Sequence, residues 1–141
     1  MSDYTSVKNV ACEVKRMKIP VKAFINAAGV VSMNMTVPND NSTIQKLIQR
    51  NLFGTIYYGL LFALLMLRQK YDIFTNFSTI AVALALKDMS VWTALKARVK
   101  FFSHTFTREM TDFNVRVNCV APGPIKTDLL RGITYTQTSF F

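Results

Sequence analysis

Three short, largely apolar segments, near residues 21–26, 73–78 and 114–120, most constrain the fold of this chain. A short apolar run that directly follows a helix is typical of a strand in a parallel sheet. Between the segments lie two long stretches, near residues 42–70 and 91–111, in which apolar residues recur at helical spacing. This alternation of strands and helices predicts an α/β fold with a parallel sheet and crossover helices.

The ends of these elements carry recognisable signals. A first helix is predicted over residues 6–18, with Thr5 or Ser6 as its cap, and Ser42 or Thr43 is expected to cap the next one. The first strand is expected to be covered on both faces. Because only three strands are predicted, one face or edge of the sheet is nevertheless expected to remain uncovered.

The chain has 141 residues and a formal charge of +9, from 17 Lys and Arg against 8 Asp and Glu. Its length suits a single domain. The basic residues are scattered, which favours a solvated surface and argues against a nucleic-acid-binding protein. A site for an anionic ligand, such as the phosphates of a dinucleotide, fits the charge equally well.

The two cysteines, Cys12 and Cys119, lie far apart, with no CxxC motif and no histidine cluster. This favours two reduced, buried thiols in a cytoplasmic protein, with no disulfide and no metal site.

One segment is as apolar as a membrane-spanning helix. Residues 52–67, LFGTIYYGLLFALLML, are sixteen residues without a charge, short of the ~20 that a bilayer needs. A helix buried in protein is therefore expected. A membrane helix flanked by Arg50 and Arg68 stays open as an alternative, and the polar and charged start of the chain predicts no secretory signal.

Residues 73–100 contain the candidate site. Thr79 follows a strand directly, while Trp92 and Lys96 lie four residues apart on the next helix and so share one face. A hydroxyl that faces an aromatic side chain and a lysine could hold a carbonyl oxygen. Asn51 lies within the preceding helix, where an asparagine needs a polar partner unless it simply faces water.

These residues form a series of motifs in a fixed order. Asn26-Ala27-Ala28-Gly29 follows the first strand, Thr79 lies thirteen residues before Trp92, and Lys96 completes a spacing of the YxxxK type. The third strand continues into a segment that reads RVNCVAPGPIKTD, residues 116–128. With Asn51, this series resembles the short-chain dehydrogenase/reductase family.

The resemblance implies a Rossmann-like three-layer α/β/α fold and an oxidoreductase that uses NADP or NAD, with no readable preference between them. It implies that Asn51, Thr79, Trp92 and Lys96 occupy the catalytic positions, and that the two long helices join copies of the chain into a homo-oligomer. The positions that would bind the cofactor are Asn26, Ala27, Ala28, Gly29, Lys96, Pro122, Gly123, Ile125 and Thr127. The substrate implied is a small carbonyl compound, as for a 3-oxoacyl reductase.

The sequence departs from the family pattern at three places. Thr79 replaces a serine but keeps the hydroxyl, and Trp92 replaces the tyrosine that gives or takes the proton. No Gly-rich phosphate turn is present, so residues 1–141 are expected to form a single partial domain without the N-terminal Gly-rich βαβ unit. The sequence thus predicts a truncated, catalytically impaired NAD(P)-dependent oxidoreductase or, alternatively, a non-catalytic pseudoenzyme that acts by helix-mediated dimerisation.

Overall fold

The computed structural model describes residues 3–31, 40–67 and 72–127 of the chain. One continuous helical stretch, residues 41–66, contains a π-helical segment at Ile48–Phe53. The elements in order are α1 (Tyr4–Arg16), β1 (Ala23–Asn26), α2 (Asn41–Leu47), α3 (Gly54–Met66), β2 (Asp72–Phe77), α4 (Ala81–Leu84), α5 (Ser90–Thr111) and β3 (Val115–Val120). The three strands and the two long helices were predicted, whereas the short helix α4 was not. Residues 68–70, the end of the helix predicted over residues 42–70, lie outside the described residues.

Aspartates cap the first two helices. The Asp3 carboxylate accepts hydrogen bonds from the backbone N–H groups of Thr5 and Ser6, and Asp40 accepts one from the N–H of Thr43. The predicted caps, Thr5 or Ser6 and Ser42 or Thr43, are therefore wrong. Those residues lie inside the first turn and donate to the aspartates, whose carboxylates are strong acceptors for helix N-termini.

The three strands form a parallel sheet in the order β1-β2-β3. Asn26 pairs with Asn76, and Asn76 with Cys119, so the carboxyl ends of the strands lie side by side. The predicted α/β class and the parallel sheet are confirmed. All the loops that follow the strands consequently start at the same edge of the sheet.

One face of the sheet carries the main core. Phe74 on β2 is fully buried and packs with Phe106 of α5 and Phe62 of α3, while Val7 brings α1 into the same cluster. The rings of Phe74 and Phe106 meet edge to face with centroids 5.5 Å apart, a favourable aromatic geometry. The helices α1, α3 and α5 thus form one layer on this face.

The opposite face is open within the described part of the chain. Ile25, which points away from the core because successive strand residues alternate, is 65% exposed, and Arg116 and Asn118 are also exposed. The expectation that β1 is covered on both faces is therefore wrong, since no described element packs over Ile25. The expectation that one face stays uncovered is confirmed.

The structure also tests the expectations for the two cysteines and for a membrane helix. Both cysteines are free thiols, but Cys12 is exposed because it lies on the outer side of α1, so its predicted burial is wrong; Cys119 is partly buried. Among the residues that the structure describes, no helix has both the length and the apolar character required to cross a membrane.

We predict that Phe74→Ala lowers the free energy of unfolding by about 3–5 kcal/mol, because it empties a site in the fully packed core. Ile19→Ala, which removes part of an apolar side chain that is 66% exposed and lies outside α3 and α5, is the control and should change stability by less than about 0.5 kcal/mol. Urea unfolding followed by circular dichroism measures both. Similar losses in the two variants would contradict the assigned core, and Phe74→Leu serves if Phe74→Ala does not fold.

Candidate active site

The candidate site lies where the loops after β1 and β2 meet the helices α2–α3 and α5. Lys96, on α5, reaches the end of β2, where its Nζ donates a hydrogen bond to the Phe77 carbonyl oxygen at 2.8 Å. The Ser78 hydroxyl donates to the Lys96 carbonyl oxygen at 3.0 Å. These two bonds fasten the helix to the strand end and fix the position of the amine.

Lys96 is buried, with only 8% of its surface exposed. Burial lowers the pKa of the amine because the charged form loses its hydration, and the nearby Cys119 thiol acts in the opposite direction. No carboxylate pairs with this amine among the described residues, where Lys22–Asp72 is the one ion pair present. The site therefore contains a lysine that is more readily neutral than a surface lysine.

Asn51 is completely buried in the π-helical segment. Its Oδ1 accepts from the Val30 N–H at 3.1 Å, and its Nδ2 donates to the Val30 carbonyl oxygen at 2.8 Å and to that of Leu47 at 3.0 Å. The alternative that Asn51 faces water is wrong. Its side-chain amide instead binds both the backbone N–H and the backbone C=O of Val30, as the backbone of a neighbouring strand would.

Gly29 shows how closely these elements approach. A Cβ atom at this position would lie 2.7 Å from the Asn51 Oδ1 and 3.7 Å from the Lys96 Nζ. The first distance is shorter than van der Waals contact, so a side chain here would displace Asn51. Gly29, Asn51 and Lys96 therefore meet at one point, although they are far apart in the sequence.

Trp92 is buried one turn before Lys96 and packs with Leu47, Ala81, Met89 and Leu95. Its indole Nε1 donates a hydrogen bond to the Val30 carbonyl oxygen at 3.2 Å, so that this oxygen accepts from both Trp92 and Asn51. The indole N–H is occupied within the protein, and an indole has no proton to release near neutral pH. Trp92 thus positions the loop after β1.

The Thr79 hydroxyl lies at the start of the loop after β2. Thr79 is buried, and its Oγ1 accepts from the Ala81 N–H at 3.3 Å, at the start of α4. A hydroxyl also has a hydrogen to donate, and no described residue accepts it.

Asn26 belongs to a buried polar chain that runs beneath the site. Its Nδ2 donates to the Asn76 Oδ1 at 3.1 Å, and the Asn76 Nδ2 donates to the Ser103 Oγ at 3.0 Å. The side chain of Asn26 therefore ties β1 to β2, while Ala27 is exposed and Ala28 partly buried. Sequence reasoning missed Asn76 and Ser103; the available signals were a polar residue near a strand end and a serine on the core-facing side of α5.

The segment after β3 carries the remaining predicted positions. Pro122 accepts a hydrogen bond from the Ile80 N–H at 3.1 Å, which ties this segment to the loop after β2. Beyond it, Gly123 has open space around its Cα, Ile125 is 59% exposed and Thr127 is exposed. These three residues are exposed, and no described hydrogen bond joins them to Lys96.

Comparison with known proteins identifies relatives over most of the chain. The model of the short chain dehydrogenase family matches residues 1–138. The 3-oxoacyl-[acyl-carrier-protein] reductase of Bos taurus is 26% identical over 127 residues, which are 90% of this chain and 54% of that protein. Carbonyl reductase family member 4 of Xenopus tropicalis is 30% identical over 113 residues, which are 80% of this chain and 48% of that protein.

Solved structures agree with this match. A short chain dehydrogenase from Burkholderia cenocepacia in complex with NADP superimposes with a TM-score of 0.84 at 25% identity, over 94% of this chain and 54% of that one. ElxO with NADP bound has the same fold, with a TM-score of 0.86 at 21% identity over 92% of this chain and 53% of that one. The chain spans about half the length of the relatives it matches. From the match over residues 1–138 and the shared Rossmann-like fold, the chain belongs to the short chain dehydrogenase family.

Proposed function

We propose that the site is that of an NAD(P)-dependent oxidoreductase which interconverts a carbonyl and an alcohol by hydride transfer, in the manner of a 3-oxoacyl reductase, and that Trp92 impairs the reaction. The single observation that carries the proposal is the meeting of Gly29, Asn51 and Lys96 at the strand ends. Family membership supports the reaction class, as does the description of two relatives as a 3-oxoacyl reductase and a carbonyl reductase.

The residues present fit one end of a dinucleotide. The Lys96 amine offers hydrogen-bond donors, and Gly29 lets the loop after β1 approach the amine and Asn51 more closely than any other residue would allow. Pro122, Gly123, Ile125 and Thr127 would line the nicotinamide, while Asn26, Ala27 and Ala28 would support the loop beneath the ribose. No Gly-rich turn for the pyrophosphate occurs in the sequence. The bound cofactor, NADP or NAD, would supply the hydride.

The chain's own residues would orient the substrate and the cofactor but would not supply the proton. Thr79 would donate its free hydroxyl hydrogen to the substrate oxygen, and Lys96 would orient the cofactor ribose. Trp92 stands where a proton donor is needed, and its N–H is directed at Val30. The site would then bind a small carbonyl compound and orient it but would not protonate it efficiently; a lost acid–base group typically costs about 10²–10⁴-fold in rate.

A second candidate function is helix-mediated association of two copies without catalysis. Leu60 and Leu64, one turn apart on α3, are 50% and 56% exposed, and Phe101 on α5 is exposed as well. Leucines at this spacing form a continuous apolar surface along a helix. This observation favours a homo-oligomer formed through α3 and α5. The expected location of the protein is the cytoplasm.

We predict that Trp92→Tyr increases the rate of NADPH-dependent reduction of a 3-oxoacyl thioester by about 10²-fold or more, because a phenol next to a lysine can donate a proton. Trp92→Phe, which supplies neither a proton nor an N–H group, is the control and should give no increase. Absorbance of NADPH reports turnover, and its fluorescence reports binding. The proposal fails if Trp92→Tyr binds NADPH without faster turnover, if it does not bind NADPH, or if Trp92→Ala retains the wild-type rate.

We predict that Leu60→Asp and Leu64→Asp each convert a dimer of the chain to a monomer, since a buried carboxylate at the contact is costly. Val10→Asp replaces an exposed apolar residue on α1, outside the two helices, and is the matched control. Light scattering during size-exclusion chromatography gives the mass of each variant. A wild-type monomer, or equal dissociation in Val10→Asp, would contradict association through α3 and α5.

A further inference from the structure

Helix α5 is joined to the end of β2 by polar contacts at two levels. At the first level, the Lys96 Nζ donates to the Phe77 carbonyl oxygen at 2.8 Å, and the Ser78 hydroxyl donates to the Lys96 carbonyl oxygen at 3.0 Å. At the second level, the Asn76 Nδ2 donates to the Ser103 Oγ at 3.0 Å. Lys96 and Ser103 are about two helical turns apart and therefore lie on the same face of α5.

The contact between Asn76 and Ser103 is completely enclosed, since the two residues are 0% and 1% exposed. The Ser103 hydroxyl donates its hydrogen to the Val99 carbonyl oxygen at 2.8 Å, so its oxygen is left to accept from Asn76. The Asn76 Oδ1 in turn accepts from the Asn26 Nδ2 at 3.1 Å. Donors and acceptors are thus matched through this chain of contacts, and a buried amide that lost its partner here would have no water to replace it.

The apolar contacts between α5 and β2 do not by themselves fix the position of the helix along the strand. Phe106 of α5 meets Phe74 of β2 edge to face, but apolar contact is non-directional and tolerates small displacements. A hydrogen bond, by contrast, weakens as its length and angle change. The bond between Asn76 and Ser103 therefore fixes α5 on β2 at a point separate from the lysine itself.

We propose that Asn76 and Ser103 are positioning residues that hold the Lys96 amine at the end of β2. Asn76 directly precedes Phe77, so fixing its side chain also fixes the carbonyl oxygen that accepts from the amine. Ser103 fixes the helix that carries the lysine. The importance of the pair for binding the cofactor ribose rests on the proposed function, whereas its effect on the amine does not.

The test follows the Lys96 side chain by nuclear magnetic resonance, in protein that contains ¹³C-labelled lysine and without added cofactor. The two hydrogens on the ε carbon of a fixed lysine have separate chemical shifts, whereas rotation averages them in a mobile one. In the wild-type protein, Lys96, identified as the signal that Lys96→Arg removes, should show two shifts and the exposed Lys100 only one. In Ser103→Ala, the separation for Lys96 should decrease by about half or more, because the side chain then exchanges between rotamers.

Thr107→Val is the matched control. The Thr107 hydroxyl lies one turn beyond Ser103 and is bonded to the Ser103 and Val117 carbonyl oxygens at 2.8 and 3.1 Å, so it joins α5 to β3 and not to β2. This variant also removes a hydroxyl from α5, but it should keep the separation of the Lys96 shifts. A loss of stability alone would affect both variants alike.

Three results would overturn the proposal: a single ε-hydrogen shift for Lys96 in the wild-type protein, an unchanged separation in Ser103→Ala, or an equal decrease in Thr107→Val. If Ser103→Ala does not fold, Ser103→Cys replaces it, since a thiol is close in size to the hydroxyl but is a weak acceptor. Because neither cofactor nor substrate is present, the result does not depend on whether the chain catalyses the proposed reaction.

Discussion

The arrangement of the site depends on the backbone N–H and C=O groups of Val30. Its N–H donates to Asn51, and its carbonyl oxygen accepts from both Asn51 and Trp92. Each such bond contributes about 1 kcal/mol net, but a buried partner left unsatisfied costs about 1–3 kcal/mol. The loop after β1 is thereby attached to both long helices, and Gly29 is held against the Lys96 amine.

Two tasks are separated in this arrangement: the positioning of polar side chains and the donation of a proton. Lys96, Thr79 and Asn51 are each held in place by a hydrogen bond to the backbone that is buried or partly buried. Trp92 is instead part of the attachment, because its single N–H is directed at the Val30 carbonyl oxygen. A site with this arrangement would keep its geometry without an acid–base group, which agrees with the proposal of an impaired oxidoreductase.

The sequence predicted the order of the three strands and of the long helices, because the periodicity of apolar residues is a local property. It did not reveal that Asp3 and Asp40 cap the helices, since Ser, Thr and Asp all have capping side chains and only geometry selects one. The burial of Asn51 depends on the π-helical segment, which adds a residue to the turn and so changes the face on which a side chain lies.

Other features depend on elements that meet only after folding. The Asn76–Ser103 hydrogen bond joins residues 27 positions apart in the chain. Ile25 lies in an apolar run that resembles a buried strand, yet its exposure is decided by what packs over the sheet, which the run itself does not encode. The role of Trp92 as a donor to Val30 could be read from neither spacing nor composition, because the acceptor is a backbone atom.

The central claim is that the Trp92 N–H is engaged within the protein. Trp92 is the sole tryptophan of the chain, so a ¹⁵N–¹H correlation spectrum contains one indole N–H signal, which needs no assignment. Its rate of exchange with deuterium measures the engagement directly. A hydrogen bond from the buried Trp92 indole to the Val30 oxygen predicts an exchange rate far below that of free tryptophan, whereas exchange at the rate of free tryptophan would contradict this hydrogen bond.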